Sequence, residues 1–549
     1  MPFDLFQRDR FADLHWKGDL FGGVTTAVVS LPLALAFGVA SGAGPQAGLY
    51  GAAIVGLVAA LFGGSRVLIS EPTGPMTVVM TAVITTLIAT EPEHGLAMAF
   101  AVVLVAGLTQ IGLGASGLGR YIRLMPYSVI SGFMSGIGIM LILLQIYPLF
   151  GVPSPPGGGL GAFAAIPDLV ANLSWVEFGL GAIALLILFG TPASWRQRFP
   201  PHLIALAVGT IVSVTLLGGL ELRRVGEIPM GLPDFVLPTF TTAQLSLILI
   251  EGMVLGLLGS IDTLLTAMIS DSLTRREHDS NRELVGQGIA NMTASFFGGL
   301  PGAGATMGTV VNIQVGARSP VAAIVRALIL VLIILALAPL LESVPLAVLA
   351  AIAVKVGYDI LDWSFLKRAH TVYMPAAVIM YGVMAMTVFV DLIAAVALGV
   401  FVANFLMIER LAQVQSKKVK LLDTSDMEFP LPEEERALFE RGAGRIVLLH
   451  LSGPMIFGVA KAISQQHRAL EDARAFILDL TDVPLVSATV ALALENVVRE
   501  AREAGLEVFV CTGEPEVRGI LQRLQDIGGE GVSICDSRLE ALRRAVERV

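Results

Sequence analysis

The chain has 549 residues, of which 55% are hydrophobic and only 15% are charged, with a mean hydropathy of +0.77. Because soluble domains carry about 25% charged residues, this composition excludes a wholly soluble protein. The formal net charge of −9 is too small to indicate nucleic acid as a partner, and the two cysteines have no disulfide or metal-binding spacing.

Apolar segments long enough to cross hydrocarbon recur from about residue 20 to about residue 408. The first of them is long and follows a charged N-terminus, so we expect no cleavable signal peptide. Apolar runs separated by polar residues predict fourteen membrane segments. They are residues 18–41, 47–63, 76–90, 95–115, 125–150, 176–191, 202–219, 247–270, 284–299, 305–316, 319–341, 344–356, 372–389 and 391–409. Segments ten and twelve are too short to span alone, which is typical of a half-helix or of a helix buried in protein.

The basic residues of the predicted loops indicate the orientation. If both termini are cytoplasmic, nearly all loop lysines and arginines lie on the cytoplasmic side, and the main exceptions are Arg223 and Arg224. This positive-inside pattern predicts a multi-pass membrane protein with cytoplasmic N- and C-termini. Because each half has seven segments, the halves must be inverted relative to each other, as in inverted-repeat transporters.

The last hundred residues alternate between strand and helix patterns. Residues 445–450, 475–480 and 507–511 are predicted to be buried strands. Helical periodicity appears in residues 459–472, 489–504, 515–525 and 538–549. This alternation predicts a small α/β domain. The predicted divisions are a cytoplasmic N-terminus at 1–17, a transmembrane domain at 18–410, a linker at 411–443 and a cytoplasmic domain at 444–549.

Two membrane segments begin at a Gly/Pro break, in matching places of the two halves. The first break is the sequence EPTGP at residues 71–75, before segment three, and the second is GGLPGAG at residues 298–304, before segment ten. Broken helices at corresponding positions indicate a substrate site at the membrane midplane. Half-helices direct unpaired N–H groups and positive dipole ends at one place, which favours an anion. The breaks therefore predict an anion transporter.

Asp262 and Thr266 lie four residues apart in segment eight and so share a helix face. An ionisable residue at this depth is costly, and we interpret it as functional in preference to a hydrogen-bonded structural carboxylate. Asp262 and Thr266 can hold Na⁺ through hard oxygen ligands, or Asp262 can carry a proton. Thr73 and Thr306, with the N–H groups of Ala305 and Thr306, are predicted to hydrogen-bond an anionic oxygen; capping the helices is the alternative role.

Other polar residues are expected to have no transport role. Glu71 is expected to face cytoplasmic water as a solvated charge, in preference to a coupling role. The polar run at 271–279 is expected to be a solvated loop, and Asp391 to be interfacial. No histidine pair has metal-ligand spacing and no phosphate-binding loop is present, so we expect no cofactor and no ATP-driven transport.

At these residues the chain resembles the sulfate permease (SulP) family, also called solute carrier family 26. The matching stretches cover nearly the whole length. In the membrane part they are residues 31–37, 48–51, 71–75 and 281–291. The tail resembles the STAS domain (sulfate transporter and anti-sigma factor antagonist) at residues 477–484. In detail the chain is most similar to bacterial members that are sodium–bicarbonate symporters or proton-coupled carboxylate transporters, which implies a bacterial cell (inner) membrane.

The resemblance implies an α-helical polytopic membrane protein with fourteen segments in a 7+7 inverted repeat, followed by a small α/β STAS domain. A core of segments 1–4 and 8–11 would move against a gate of segments 5–7 and 12–14 in an elevator-like step, and the protein would be a homodimer. In the bicarbonate-transporting members, the sodium ligands match Asp262, Thr266, Gly304, Ala305 and Thr306 here. The anion contacts match Thr73, Ala305 and Thr306.

The chain also departs from the family pattern. Leu33 stands where many relatives have glutamine, which removes one polar substrate contact. Met307 and Gly308 stand where chloride and sulfate carriers often have Ser-Arg. Without that arginine a desolvated anion needs a co-bound cation, which favours cation-coupled symport over exchange. In the tail, Ser487 and Ala488 replace the Asp-Ser pair that soluble relatives use for phosphorylation, which argues against a phosphorylation switch.

We therefore predict a secondary transporter, not an enzyme, that couples H⁺ or Na⁺ to symport of a small carboxylate. The substrate is a dicarboxylate such as fumarate, or bicarbonate, and the sequence ranks neither substrate nor coupling ion. The alternatives are a sulfate- or chloride-type exchanger, and a channel or regulatory receptor whose tail senses a ligand. The expected partners are the anion, membrane lipid, a second copy of the chain and a cytosolic regulator of the STAS domain.

Overall fold

The computed structural model of the chain divides into two compact units, Met1–Val400 and Phe401–Val549. The structure describes residues 14–122, 125–155, 157–192, 200–226, 231, 233–390, 392–416, 418–422, 431–442, 444–456, 463, 473–529 and 531–549. The predicted helix at 459–472 and the predicted interfacial Asp391 therefore lie outside the described residues, apart from residue 463.

Each of the fourteen predicted membrane segments is matched by one main helix. In chain order these are α1 Trp16–Ser41, α2 Pro45–Phe62, α3 Gly74–Thr90, α4 Gly95–Ala115, α5 Tyr127–Leu149, α6 Trp175–Gly190, α7 Pro201–Thr215, α8 Leu245–Thr274, α9 Ser280–Phe296, α10 Thr306–Gln314, α11 Val321–Ala336, α12 Leu346–Ile360, α13 Met374–Phe389 and α14 Leu392–Ser416. Short helices lie between them at Gly119–Ile122, Gly158–Ala164, Ile166–Asn172, Ala338–Glu342 and Trp363–Val372.

Six of the described helices are long and apolar enough to cross a membrane alone. They are α1, α2, α4, α5, α8 and α14, the last over residues 394–416. Ile166–Asn172 and α6 add a seventh candidate if they count as one span bent by 107°. The apolar helices α3, α7, α11 and α13 are shorter, so fourteen crossings remain a prediction.

The helices of the membrane unit pack in two sets. Helix α4 packs against α8 and α9, and α1 and α2 pack against α11, whereas α5 packs against α12 and α13. The α4–α9 crossing depends on two glycines. A Cβ atom at Gly107 would lie 2.6 Å from the Gly288 carbonyl oxygen, and one at Gly288 would lie 2.5 Å from that of Gly107. Helix α3 also contacts α5 and α12, and α1 contacts α12, so the division into core and gate remains a prediction.

The tail unit contains a five-stranded sheet with helices on both faces. After the two short membrane strands β1 Ser70–Glu71 and β2 Ala303–Gly304, the tail strands are β3 Val419–Leu422, β4 Ile446–Ser452, β5 Ala475–Asp482, β6 Glu507–Cys511 and β7 Val532–Cys535. They lie in that order, with β3 antiparallel and the others parallel. The tail helices are α15 Glu433–Arg441, α16 Ala488–Glu503, α17 Pro515–Leu521 and α18 Arg538–Arg548, with a short turn of helix at Gln525–Gly528.

The three predicted tail strands and the last three predicted tail helices are confirmed to within a few residues. The structure adds β3 and α15 inside the range predicted to be a linker, 411–443. Strand β3 pairs with β4 from Val419 opposite Leu451 to Leu422 opposite Leu448. This part of the predicted linker therefore belongs to the sheet, and the exact division of the chain into domains remains a prediction.

Candidate functional site

The two Gly/Pro breaks meet in a two-stranded antiparallel pairing. Ser70 lies opposite Gly304, and Glu71 lies opposite Ala303. Helix α3 begins directly after the extended residue Thr73, and α10 begins directly after the extended residue Ala305. The chain must be extended here because each half-helix starts only after its strand, and the Gly and Pro residues of the breaks suit this geometry. Both half-helices therefore start at one place.

Asp262 and Thr266 on α8 lie against this pairing. Asp262 is only 5% exposed, and its Oδ2 accepts a hydrogen bond of 2.8 Å from the Thr73 hydroxyl. The Thr266 hydroxyl donates to the Gly304 carbonyl oxygen at 2.8 Å and lies 2.9 Å from Thr306 Oγ1. All six residues predicted for the site are thus brought together by α8, β2 and the starts of α3 and α10.

The backbone donors of the second break are not equivalent. The Ala305 N–H, predicted to face the anion, instead donates to the Ile69 carbonyl oxygen at 2.8 Å. That bond extends the β1–β2 pairing and occupies the donor. Thr306 lies in the first turn of α10, where N–H groups have no acceptor in their own helix, and it is exposed while Ala305 is buried. The arrangement favours Thr306 over the Ala305 N–H as an anion donor.

The expectation for Glu71 is wrong. Glu71 is 3% exposed and forms an ion pair with Arg326 of α11, which is itself completely buried. Arg326 also donates to Ser30 Oγ at 2.8 Å and to the Ser70 carbonyl oxygen at 3.2 Å. No local sequence pattern indicates this pair, because its partners lie 255 residues apart. The one available signal is an arginine inside a predicted membrane segment, which marks a paired or functional charge.

Three buried amide side chains, for which the sequence alone predicts no role, hold the loop of the second break. Asn291 accepts from the Gly302 N–H at 2.8 Å and donates to the Gly302 carbonyl oxygen at 3.0 Å. Gln287 donates to the same carbonyl oxygen at 2.9 Å, and Asn291 also donates to Gln110 at 2.8 Å. Gln287 and Asn291 lie in the diagnostic stretch 281–291, so that stretch fixes the backbone of the site.

The polar run 271–279 is partly ordered. Residues 271–274 complete α8, and His278 is buried, with its Nδ1 2.7 Å from Asp271 Oδ2. Most of the remaining residues of the run are exposed, as predicted. Just beyond the run, Glu283 accepts from the N–H groups of Gly64 and Ser65 at 2.7 Å each. This region therefore ties α9 to the loop that enters β1.

Comparison with known proteins identifies the family of this fold and site. A family model described as the sulfate permease family matches residues 16–383, and a STAS domain model matches residues 441–526. The chain belongs to the sulfate permease family. It is therefore a multi-pass membrane transporter of anions with a C-terminal STAS domain, and not an enzyme.

Members of the sulfate permease family are similar to the chain over nearly its whole length. The bicarbonate transporter BicA of Synechocystis sp. is 54% identical over 531 residues, which are 96% of this chain and 94% of that protein. The putative sulfate transporter YvdB of Bacillus subtilis is 28% identical, over 92% of this chain and 93% of that protein.

Solved structures agree with this assignment. The transmembrane domain of a cyanobacterium bicarbonate transporter BicA matches with a TM-score of 0.66 and 57% identity, covering 70% of this chain and 98% of that one. Murine Slc26a9 in the inward-facing state matches with a TM-score of 0.84 and 18% identity, covering 100% of this chain and 94% of that one. At that identity the second likeness shows the fold alone.

Proposed function

We propose that this chain is a sodium–bicarbonate symporter of a bacterial inner membrane, with both termini in the cytoplasm. The observation that carries the proposal is the 2.8 Å hydrogen bond from Thr73, the predicted anion contact, to Asp262, the predicted cation ligand. The 54% identity to a protein named as a bicarbonate transporter supports the choice of anion.

The oxygen atoms around Asp262 favour Na⁺ over H⁺. Thr266 Oγ1 lies within 2.9 Å of both the Gly304 carbonyl oxygen and Thr306 Oγ1, one helical turn from the Asp262 carboxylate. A carboxylate with several neutral oxygens is a ligand set for a small hard cation. A proton would need the carboxylate alone. Arg326, which lies against β1, adds no net positive charge because it is already paired with Glu71.

Thr73 can couple the two ions because its hydroxyl has a single hydrogen. In the structure that hydrogen is donated to Asp262 Oδ2. A cation bound at Asp262 would satisfy the same oxygen, and the hydroxyl could then turn toward a bicarbonate oxygen near Thr306. The anion would gain a donor only when the cation is present. This order of events is a physical basis for symport.

The anion side of the site faces the helices implied to form the gate. A Cβ atom at Gly74, the first residue of α3, would lie 2.5 Å from Ile360 Cδ1 of α12 and 3.6 Å from Leu141 Cδ2 of α5. This close approach supports an elevator-like step in which α3 moves past α5 and α12. The family resemblance also supports a homodimer and a cytosolic regulator of the STAS domain as parts of the proposal.

Uptake of labelled bicarbonate into proteoliposomes containing the full-length chain tests the function. We expect an inward Na⁺ gradient to drive accumulation above equilibrium, and equimolar K⁺ or a pH gradient alone to drive none. Competition by unlabelled fumarate would extend the substrate range to dicarboxylates. Dependence on chloride or sulfate inside the vesicles would instead show an exchanger, and purely downhill flux would show a channel.

A further inference from the structure

A cavity of about 470 Å³ lies at the end of α8 away from the membrane midplane. It is lined by the loop before β1, by the end of α8 and the residues that follow it, and by the end of α10. Ser270, Thr274 and Asp271 come from α8 or its last turn, Val67 from the loop before β1, and Ile313 from α10. All of its described lining residues belong to the implied core, whereas the anion side of the site faces α5 and α12.

Helix α8 joins this cavity to the candidate site through four polar residues. Asp262, Thr266, Ser270 and Thr274 follow one another at intervals of four, so each lies about 6 Å along the helix from the one before. Asp262 and Thr266 belong to the site, and Ser270 and Thr274 line the cavity. Ser270 is 2% exposed. The cavity therefore ends one helical turn from the proposed sodium ligands.

The chemistry of this route suits a cation. The Thr274 hydroxyl donates its hydrogen to the Ser270 carbonyl oxygen at 2.8 Å, and the Thr266 hydroxyl donates to Gly304 at 2.8 Å. A hydroxyl that donates its hydrogen to a backbone carbonyl still has oxygen lone pairs, and these can bind a cation along the route.

The charged groups around the mouth of the cavity come from every element that lines it. They are Arg66, Asp271, Arg276, Glu277, His278, Asp279 and Arg318. Three acidic and three basic residues balance one another, and His278 lies between Asp271 at 2.7 Å and Ser280 at 3.0 Å. The mouth thus carries no excess positive charge that would exclude Na⁺.

We infer that Na⁺ passes between the site and the cytoplasm through this cavity, along Thr274 and Ser270, inside the core. The anion takes a different route, along the face between core and gate. The inference rests on the proposed sodium symport and deepens it. Its consequence is that the sodium ion can reach its ligands without crossing the face where α3 meets α12.

Cysteine accessibility tests this route because the background is low. Cys511 and Cys535 are the only cysteines of the chain, both are buried in the tail, and burial raises the pKa of both thiols. Thiols that stay protonated react slowly with thiol reagents. The probe is a positively charged, membrane-impermeant methanethiosulfonate applied to inside-out vesicles containing the full-length Ser270→Cys variant.

We expect Na⁺ to protect Ser270→Cys from this reagent. At about ten times its dissociation constant Na⁺ leaves roughly a tenth of the sites free, so labelling should be about tenfold slower in Na⁺ than in choline. Bicarbonate without Na⁺ should have no effect. Adding Asp262→Asn should remove the protection. The matched control is Thr210→Cys on α7, whose hydroxyl also donates four residues back, to Leu206 at 2.7 Å; Na⁺ should not change its labelling.

Thr274→Cys, at the mouth of the cavity, gives the same test if Ser270→Cys does not fold. The route is overturned if neither cysteine is labelled from the cytoplasmic side, if Na⁺ and choline give equal rates, or if bicarbonate alone protects. Sodium-driven uptake by the wild-type chain separates this failure from failure of the proposed function. If that uptake is present without protection, only the route is wrong; if it is absent, both are wrong.

Discussion

At the scale of single residues, Thr73 connects the two halves of the proposed mechanism. Its hydroxyl donates to Asp262, and its backbone precedes the first turn of α3. A hydrogen bond to a charged group contributes about 1.5–3 kcal/mol, and each 1.4 kcal/mol is about tenfold in an equilibrium constant.

We therefore expect Thr73→Val to lower sodium-driven bicarbonate uptake by about tenfold or more. Valine keeps the shape of threonine and removes the donor. Thr73→Ser keeps the donor and should retain most of the uptake. Initial rates at varied Na⁺ and bicarbonate check the prediction. Equal rates for Thr73→Val and the wild type would remove Thr73 from the coupling step.

Asp262 gives a second prediction at this scale. Asp262→Asn keeps the size and the hydrogen-bonding capacity of the side chain but removes the charge that would hold Na⁺. We expect sodium-driven accumulation to be abolished while the purified variant elutes as the wild type does in size-exclusion chromatography. Accumulation at the wild-type level would show that Asp262 is not the coupling residue.

The ion pair of Glu71 and Arg326 predicts a stability effect. Glu71→Gln would leave the buried Arg326 without its counter-ion, and removing one partner of a buried pair typically costs about 3–5 kcal/mol. The double variant Glu71→Gln/Arg326→Met should lose much less, because both charges are gone. Thermal unfolding midpoints in detergent measure the difference. A single variant as stable as the double variant would contradict this account.

Asp262 and Arg326 show what the sequence can and cannot predict about the site. Asp262 is predicted from the sequence because a carboxylate four residues from a threonine in an apolar helix is a local pattern. The burial of Glu71 is not predictable in this way, because it depends on an arginine that the fold brings from α11. The roles of Gln110, Gln287 and Asn291 around Gly302 likewise exist only after α4 and α9 have packed.

At the scale of elements, the start of α3 is fitted closely against α12. Gly74 has room for no side chain unless Ile360 shifts, because a Cβ atom would approach its Cδ1 to 2.5 Å. If the core moves past the gate, this contact must allow α3 to slide along α12 without a steric clash.

The fourteen main helices were predictable because hydrophobic runs are local. The pairing of β1 with β2 joins residues more than two hundred positions apart, so neither short strand specifies it alone.

We expect Gly74→Val to reduce transport strongly while leaving Na⁺ able to bind. The added methyl groups would wedge α3 against α12 and hinder the elevator step, whereas Asp262 and Thr266 are untouched. Gly112→Val on α4 is the matched control, since a Cβ atom there meets nothing within 4 Å. Uptake rates and sodium-dependent thermal stabilisation separate movement from binding. Wild-type uptake by Gly74→Val would argue against movement at this face.

At the scale of the whole molecule, the tail unit carries its own buried charge cluster. Asp479 on β5 is completely buried, with His450 Nδ1 at 2.6 Å and Arg538 Nε at 3.2 Å from its Oδ2. Burial tends to raise the pKa of Asp479, but hydrogen bonds from His450 and Thr481 and the charge of Arg538 hold this pKa below its ordinary value. The cluster joins strands β4 and β5 to the last helix, α18.

This depressed pKa predicts an acid-sensitive tail. The stabilisation from Asp479 is present above its ordinary pKa of 3.8 and is lost as the pH falls through the lower pKa of the folded state. We expect pepsin cleavage of the tail in the full-length protein to rise steeply as the pH falls below the pKa of Asp479 in the folded state. Asp479→Asn should be cleaved faster at pH 3.8 and show a weaker pH dependence. The exposed Asp536→Asn should behave like the wild type, and an unchanged profile for Asp479→Asn would contradict the assignment.

The sequence predicted the central strands of the tail sheet better than its edge strand β3. Strands β4, β5 and β6 are continuous apolar runs and were found, whereas β3 is four residues long and follows lysine-rich sequence. Such a strand is specified by its partner, since Val419 and Leu422 are buried only after they pair with β4. The edge strand β3 is therefore one part of this domain that the sequence alone could not show.

The pairing of β1 with β2 also has a consequence for biogenesis. Ser70 and Gly304 are partners across more than two hundred residues, and contacts of such long sequence separation form late because the chain must first close a large loop. When α1 to α7 have been inserted into the bilayer, Glu71 still has no Arg326 and α3 has no β2 beside it. The proposed transport site can thus be completed only after the ribosome has delivered α11, and each half of the chain needs the other half to complete its fold.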